Sequence, residues 1–190
     1  MKLYGSFTSP FARKCRITAL EVGLDDRVDW ISVSVMDETA THPNPLKLVP
    51  SFETDDGELI VDSRTICEYL VESGNGNLAR PDWADRTLVA MADGLMDRAV
   101  SITLETRRPE QDRSSDWLVR WTAAIRATLT ELERRRPDTF TPGAISLLCA
   151  LGYLDFRHAG LNWRNNHPDL ATWYKHTSQR PSFTSTEPPA

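Results

Sequence analysis

Three residues in this chain combine a reactive or hydrogen-bonding type with a setting that gives it leverage: Ser9, Asp62 and Ser63. Ser9 stands with Pro10 in "YGSFTSPFARKC", between an apolar run opening at Lys2 and a cationic, helix-patterned run opening at Phe11. A serine there caps a helix, because its hydroxyl satisfies an orphan amide and the following proline has none to lose. The same amino end favours a negative group through its remaining amides and its dipole. Asp62-Ser63, in "VDSRTICEYL", repeats the arrangement at a second helix start and is equally explicable as a cap.

Other reactive residue types do not assemble into sites. His42, His158, His167 and His176 share no short metal-ligand spacing with each other or with Cys15, Cys67 and Cys149, so no metal is expected. The cysteines are odd in number and far apart in sequence, which fits a reducing compartment, with cytoplasm as the default location. A serine hydrolase would need a Gly-x-Ser-x-Gly elbow, and none is present. Arg134, Arg135 and Arg136 precede Pro137 at the end of a helical pattern, where cations complement the carboxyl-end dipole. Trp117 and Trp121, one turn apart, read as core or helix-helix packing.

The 190 residues are 40% hydrophobic and 26% charged, enough for a sizeable core in one or two modest domains. A net charge of -5 argues against a nucleic-acid partner, which wants a clustered positive field. No run approaches ~20 apolar residues, so no membrane span is expected.

The elements that must position Ser9 and Asp62-Ser63 follow from periodicity. Lys2 to Phe7 reads as a strand, and Pro10 to Val22 as a helix with Phe11, Cys15, Thr18 and Val22 on one face. Val28 to Val35 reads as a second strand, parallel to the first through the crossover. "SFETDDGELIVD" places two short strands around Asp56-Gly57, a two-residue hairpin signal, and Ser63 to Ser73 returns to helical period. Residues 74–81 read as a linker. Beyond it only helical patterns occur, over Arg86 to Leu104, Asp116 to Arg135, Ala144 to Arg157 and Leu170 to Ser178. The expectation is an α+β chain with an amino-terminal domain over 1–73 and an all-helical domain over 82–190.

With these elements in order, the chain resembles the cytosolic glutathione transferase superfamily, in particular small bacterial serine-type members. The likeness is carried by "SPFARKCRITALEVG", "NPLKLVPSF", "VDSRTICEYL", "MADGLMD", "PGAISLLCALGYLDFR" and the tail "RPSFTSTEPP". The resemblance implies a thioredoxin-like first domain that binds glutathione and a helical domain that completes a pocket for an electrophile. It gives Ser9 the catalytic place, as hydrogen-bond donor to the glutathione sulfur. A thiol of ordinary pKa about 8.5 is drawn toward thiolate at a helix amino end. It makes Val49-Pro50 the cis-proline step that offers the Val49 backbone to the cysteinyl part; on sequence alone a trans bond is the ordinary expectation. Ser63 would take the γ-glutamyl carboxylate, and Asp62 the neighbouring ammonium or the turn itself. By placement, Phe7, Phe11 and Arg107 would line the electrophile pocket.

Two departures stand out. Lys47-Leu48 replaces the usual Gly-Lys pair, and Leu48 cannot meet the glycyl carboxylate by charge, so either Lys47 takes that role or affinity for glutathione is reduced. Thr141 begins a capping box whose acidic member is replaced by Ala144. The resemblance further implies a homodimer, with Leu88, Met91, Leu95 and Met96 as apolar material for either an interface or an intrachain core. The function expected is transfer of glutathione to a small electrophile; the alternative is a non-catalytic glutathione-binding or stress-regulatory protein of the same fold. A thiol-disulfide oxidoreductase is disfavoured, since Ser9 stands where such a protein needs cysteine and Cys15 lies nearly two turns further into the helix.

Overall fold

A computed structural model describes residues 1–33, 43–76, 78 and 81–189. In chain order the elements are β1 (Lys2–Gly5), α1 (Pro10–Glu21), β2 (Asp29–Ser32), β3 (Ser51–Glu53), β4 (Leu59–Val61), α2 (Ser63–Ser73), α3 (Trp83–Arg107), α4 (Ser115–Arg134), α5 (Pro142–Arg157), α6 (Pro168–Thr177) and α7 (Pro181–Thr184). They form two compact units, Met1–Arg80 with Arg180–Ala190, and Pro81–Gln179.

The first unit is a four-stranded sheet in the order β2-β1-β3-β4. The α1 crossover makes β1 and β2 parallel, while β3 runs antiparallel to both β1 and β4. Strand side chains alternate between faces. Leu3 and Phe52, paired in register, lie on the face covered by α1 and α2, where they join Cys15, Ala19, Val22, Ile66, Cys67 and Leu70 in one apolar cluster. Burying each of the Leu, Phe, Val and Ile side chains among them contributes about 1.5–3 kcal/mol. The opposite face carries Lys2, Tyr4 and Glu53, where the Tyr4 hydroxyl and Lys2 Nζ both donate to the Glu53 carboxylate at 2.8 Å.

The first strand stops at Gly5 rather than reaching Phe7. A Cβ at Gly5 would lie 2.8 Å from both the Ala12 methyl and the Trp30 ring, so the backbone is pressed between helix and neighbouring strand before it leaves the sheet. The hairpin loop is three residues long, not two. The Thr54 amide donates to the Glu58 carbonyl at 3.0 Å and the Gly57 amide to the Thr54 carbonyl at 3.1 Å. Gly57 takes φ +86°, giving a turn followed by a left-handed residue. The second strand pairs over Asp29–Ser32; Ser34 and Val35 lie outside the described residues, as do His42 and, in the expected linker, Asn77, Ala79 and Arg80. The start of that linker is anchored, because the Asn75 amide donates to the Val22 carbonyl at 3.0 Å and Gly74 sits where a Cβ would collide with Val22.

The sequence reading carries the helical domain to residue 190, but the last eleven residues cluster with the first unit. Arg180 pairs with both Glu21 carboxylate oxygens at 3.0 and 2.7 Å, and Ser182 donates to Glu21 at 2.5 Å. Arg13 stacks its guanidinium 3.7 Å over the Phe183 ring and donates to the Phe183 carbonyl and the Thr186 hydroxyl. Charge and aromatic partners taken from one helix thus hold the tail on α1.

The second unit consists of α3 to α6. Leu88, Ala92, Leu95, Met96, Ala99 and Ile102 make a buried stripe on α3 at helical spacing, and α5 is buried from Gly143 to Tyr153 and at Leu154. Leu88, Leu95 and Met96 are therefore intrachain core, 4% exposed or less. Trp117 and Trp121 stack with centroids 5.5 Å apart, yet Trp117 is 51% exposed, so within the chain this pair is a surface feature rather than core. Arg134 and Arg135 do sit at the end of α4, paired with Glu131.

Two helix starts are completed by acids from other helices. The Asp85 carboxylate accepts from the Thr141 hydroxyl and from the Gly143 amide at 3.1 and 3.2 Å, supplying the negative group that Ala144 lacks. Glu133 likewise accepts from the Asp169 and Leu170 amides at 3.0 and 2.8 Å, where His167 gives α6 no side-chain cap.

Among the described residues no helix is long and apolar enough to cross a membrane, and no group of three His, Cys, Asp or Glu is arranged to hold a metal.

Candidate functional site

Sheet register brings three stretches to one end of the first unit. Tyr4 pairs with Ser51, and Ser51 with Val61. β1 runs into this row and continues through the loop to Ser9. β3 starts in it, immediately after Val49-Pro50, and β4 finishes in it, immediately before Asp62-Ser63. The catalytic and peptide-binding positions expected from sequence therefore emerge side by side, although they are spread over 55 positions of chain.

Ser9 is the N-cap of α1, extended at φ -78° and ψ 123°, and its hydroxyl accepts from the Ala12 amide at 3.2 Å. Its carbonyl accepts from the Arg13 amide at 3.0 Å. Pro10 has no amide, so within the first turn the Phe11 amide is the one with no described acceptor. Accepting one bond leaves the Ser9 hydroxyl proton available to a ligand beside that amide.

Val49-Pro50 is cis. The Val49 amide and carbonyl take no part in the sheet pairing, which begins at Ser51. The preceding loop is organised by Asn44, 3% exposed, whose side chain accepts from the Leu46 amide at 2.9 Å and donates to the Leu48 carbonyl at 3.1 Å. The signal for this role was present in Asn44-Pro45, a turn-initiating pair whose side chain imitates backbone bonding. The turn holds Lys47 at φ +52°. Lys47 is exposed and Leu48 is 61% exposed, so Leu48 is an apolar side chain open to solvent beside the cation.

Asp62, at φ +71°, caps α2 by accepting from the Arg64 amide at 2.8 Å. Ser63 is 5% exposed. Its carbonyl receives the Cys15 thiol at 3.6 Å, while its amide and hydroxyl are committed to no described residue. The Cys15 and Cys67 sulfurs lie 3.8 Å apart, so two of the cysteines that are distant in sequence are neighbours in space; none of the three forms a disulfide.

Phe7 is 41% exposed and Phe11 half-buried. The Phe7 ring lies 5.0 Å from Trp30, and the Arg16 guanidinium is 5.2 Å from the Phe7 centroid and 5.0 Å from that of Trp30. Sequence reasoning singled out neither Arg16 nor Trp30. Burial, and then the like charge of Arg13, disfavour the charged form of Arg16. Arg107 belongs to the second unit, exposed in the last turn of α3.

Comparison with known proteins decides the family. Residues 3–77 match the glutathione S-transferase amino-terminal domain and residues 81–176 the carboxyl-terminal domain. The chain belongs to the glutathione S-transferase family. It is 35% identical over 201 residues to the uncharacterised GST-like protein YibF of Escherichia coli strain K12, covering 100% of this chain and 99% of the relative. It is similar to a family member from Pseudomonas fluorescens Pf-5 solved with bound glutathione, at 37% identity, TM-score 0.93 and coverage of 100% and 99%. The same protein solved with S-(propanoic acid)-glutathione gives TM-score 0.91 with both chains fully covered. Within the family pattern, the missing acid of the capping box in this chain is supplied in space by Asp85.

Proposed function

We propose that this chain binds glutathione at the end of the sheet marked by Ser9, Val49, Asp62 and Ser63 and activates its sulfur for transfer to a small electrophile. The observation that carries the reading is the register row Tyr4-Ser51-Val61, which sets a capped helix start, an unpaired strand-like residue and a second helix start around one space. The Val49 backbone would pair with the cysteinyl residue. The Ser63 amide and hydroxyl would receive the γ-glutamyl carboxylate, with the Asp62 carboxylate near its ammonium. Lys47, exposed beside Val49, is the cation for the glycyl carboxylate.

At Ser9 the hydroxyl would donate to the sulfur while the helix dipole favours its negative form. The thiolate then forms a bond to an electrophilic carbon, and that carbon releases a leaving group or a π-electron pair. Phe7 and Phe11 are the aromatic surface nearest Ser9 in sequence, and Arg107 is kept as a candidate for an anionic substrate. The relatives solved with glutathione and with its propanoic acid conjugate support the reading.

A homodimer in the cytoplasm completes the proposal. Its interface would draw on exposed residues such as Trp83, 83% exposed, since Leu88, Leu95 and Met96 are consumed by the chain's own core. Calorimetric titration with glutathione followed by an assay with a model electrophile tests the function. Binding with turnover supports it, and absence of binding overturns it. Sedimentation at micromolar concentration tests the dimer, which a monomer alone would exclude.

A further inference from the structure

Arg16 and Trp30 present hydrogen-bond donors without acceptors in one niche. The Arg16 guanidinium is half-buried between the rings of Phe7 and Trp30, and no described residue offers it a carboxylate or carbonyl. The Trp30 indole N–H is buried and has no hydrogen-bond partner among the described residues. A buried donor left unmade, as at Trp30, costs more than a made bond gains. The rings hold the guanidinium by cation–π contact but accept none of its in-plane N–H groups. The neighbouring titratable group on α1 is Arg13, another cation, turned to Phe183 and Thr186. What the niche lacks is a planar anion with two acceptor oxygens, which a guanidinium fork matches.

The niche also adjoins the stretch between β1 and α1 that carries Ser9. Arg16 follows Ser9 by seven residues, about 10 Å along the helix axis. Long helical side chains point back toward the amino end, and this one does so, reaching the ring of Phe7, two residues before Ser9. Its charge therefore sits against the loop that leads into Ser9.

We propose that Arg16 and Trp30 form a carboxylate-binding subsite for the second substrate, so that this transferase favours small electrophiles bearing a carboxylate. The proposal rests on the glutathione-transfer reading of Ser9. Arg16 binds the acid and Trp30 adds a neutral donor, with Phe7 as the apolar wall.

The test compares calorimetric binding of S-(2-carboxyethyl)glutathione, its uncharged amide S-(2-carbamoylethyl)glutathione, and glutathione itself. The wild type should prefer the acid over the amide by tenfold or more. Arg16→Met should reduce that preference at least tenfold, Arg16→Lys should restore part of it, and Trp30→Phe, which keeps the ring, should reduce it severalfold. Equal affinity for acid and amide in the wild type overturns the subsite while leaving the transfer reading intact. Equal weakening of all three ligands by Arg16→Met also overturns it, because the carboxylate served would then be one of glutathione's own. If glutathione and both conjugates fail to bind, the transfer reading falls with it.

Discussion

The Asp85 carboxylate on α3 lies 3.1 and 3.2 Å from the amide of Gly143 at the start of α5, and it also accepts from the Thr141 hydroxyl. A negative group thus reaches the amino end of the most deeply buried helix from a different helix, and Gly143 leaves room for it. A Cβ at Gly143 would collide with Asp85 and come within 2.9 Å of Leu88. Asp85→Ala should therefore cost about 1–2 kcal/mol, the sum of a lost cap and a lost dipole interaction. Gly143→Ala should cost about 1–3 kcal/mol through overpacking. Urea denaturation of both variants and of the double variant checks this. The double variant should be less destabilised than the sum, since removing Asp85 makes room for the new methyl.

Ser63→Ala should weaken glutathione binding more than it weakens folding. The hydroxyl makes no hydrogen bond to a described residue, whereas a bond to a charged carboxylate is worth about 1.5–3 kcal/mol. Calorimetry should show affinity lowered by tenfold or more with a nearly unchanged Tm; the reverse pattern would return Ser63 to a purely structural role.

Ser9→Ala separates cap from catalyst. Loss of the bond to the Ala12 amide predicts up to ~2 kcal/mol of destabilisation. Loss of a donor to sulfur predicts in addition a rise of about one unit in the pKa of bound glutathione, about 1.4 kcal/mol, and up to tenfold less thiolate near neutral pH. Thiolate absorbance of bound glutathione against pH reads this directly, and overlapping curves for wild type and variant would leave Ser9 as a cap alone.

Acid should destabilise the chain in two windows. Burial pushes the His158 imidazole below its usual 6.5, partly offset by its hydrogen bond to the Ala99 carbonyl and reinforced by Arg157. The unfolded chain therefore takes the proton first, so this contribution is complete above about pH 6.5 and declines as pH falls toward the lowered folded value. The Glu21 carboxyl is raised by burial but held below its ordinary value overall by the bonds from Arg180 and Ser182 and by the Arg180 charge. Its contribution is present above about pH 4.5 and is lost at lower pH. Denaturation profiles should show His158→Gln flattening the upper window only and Glu21→Gln the lower only; unchanged slopes would remove the assignment.

The sequence exposed whatever depended on local chemistry. Ser9-Pro10, Asp62-Ser63 and Thr141-Pro142 mark helix starts because caps act over two or three residues, and the α3 stripe shows in its period. What escaped were pairings across long chain separations. Asp85 with Gly143, Glu133 with Leu170 and Glu21 with Arg180 join charges to partners that no spacing rule connects. The hairpin loop differed for a local reason: Asp-Gly serves both two- and three-residue turns, and the Thr54–Glu58 bond selects the longer. Trp117 and Trp121 misled because helical spacing is the same on a wet face as on a dry one.

The docking of the tail on α1 also bears on the order in which the chain is made. During synthesis, the segment that supplies Arg180, Phe183 and Thr186 leaves the ribosome only after all of Pro81–Gln179. Until then the nascent first unit carries Arg13 without its aromatic cover and Glu21 without its counterion. Its sheet and first two helices can form early, but their final closure waits until the segment from Arg180 to Thr186 has emerged.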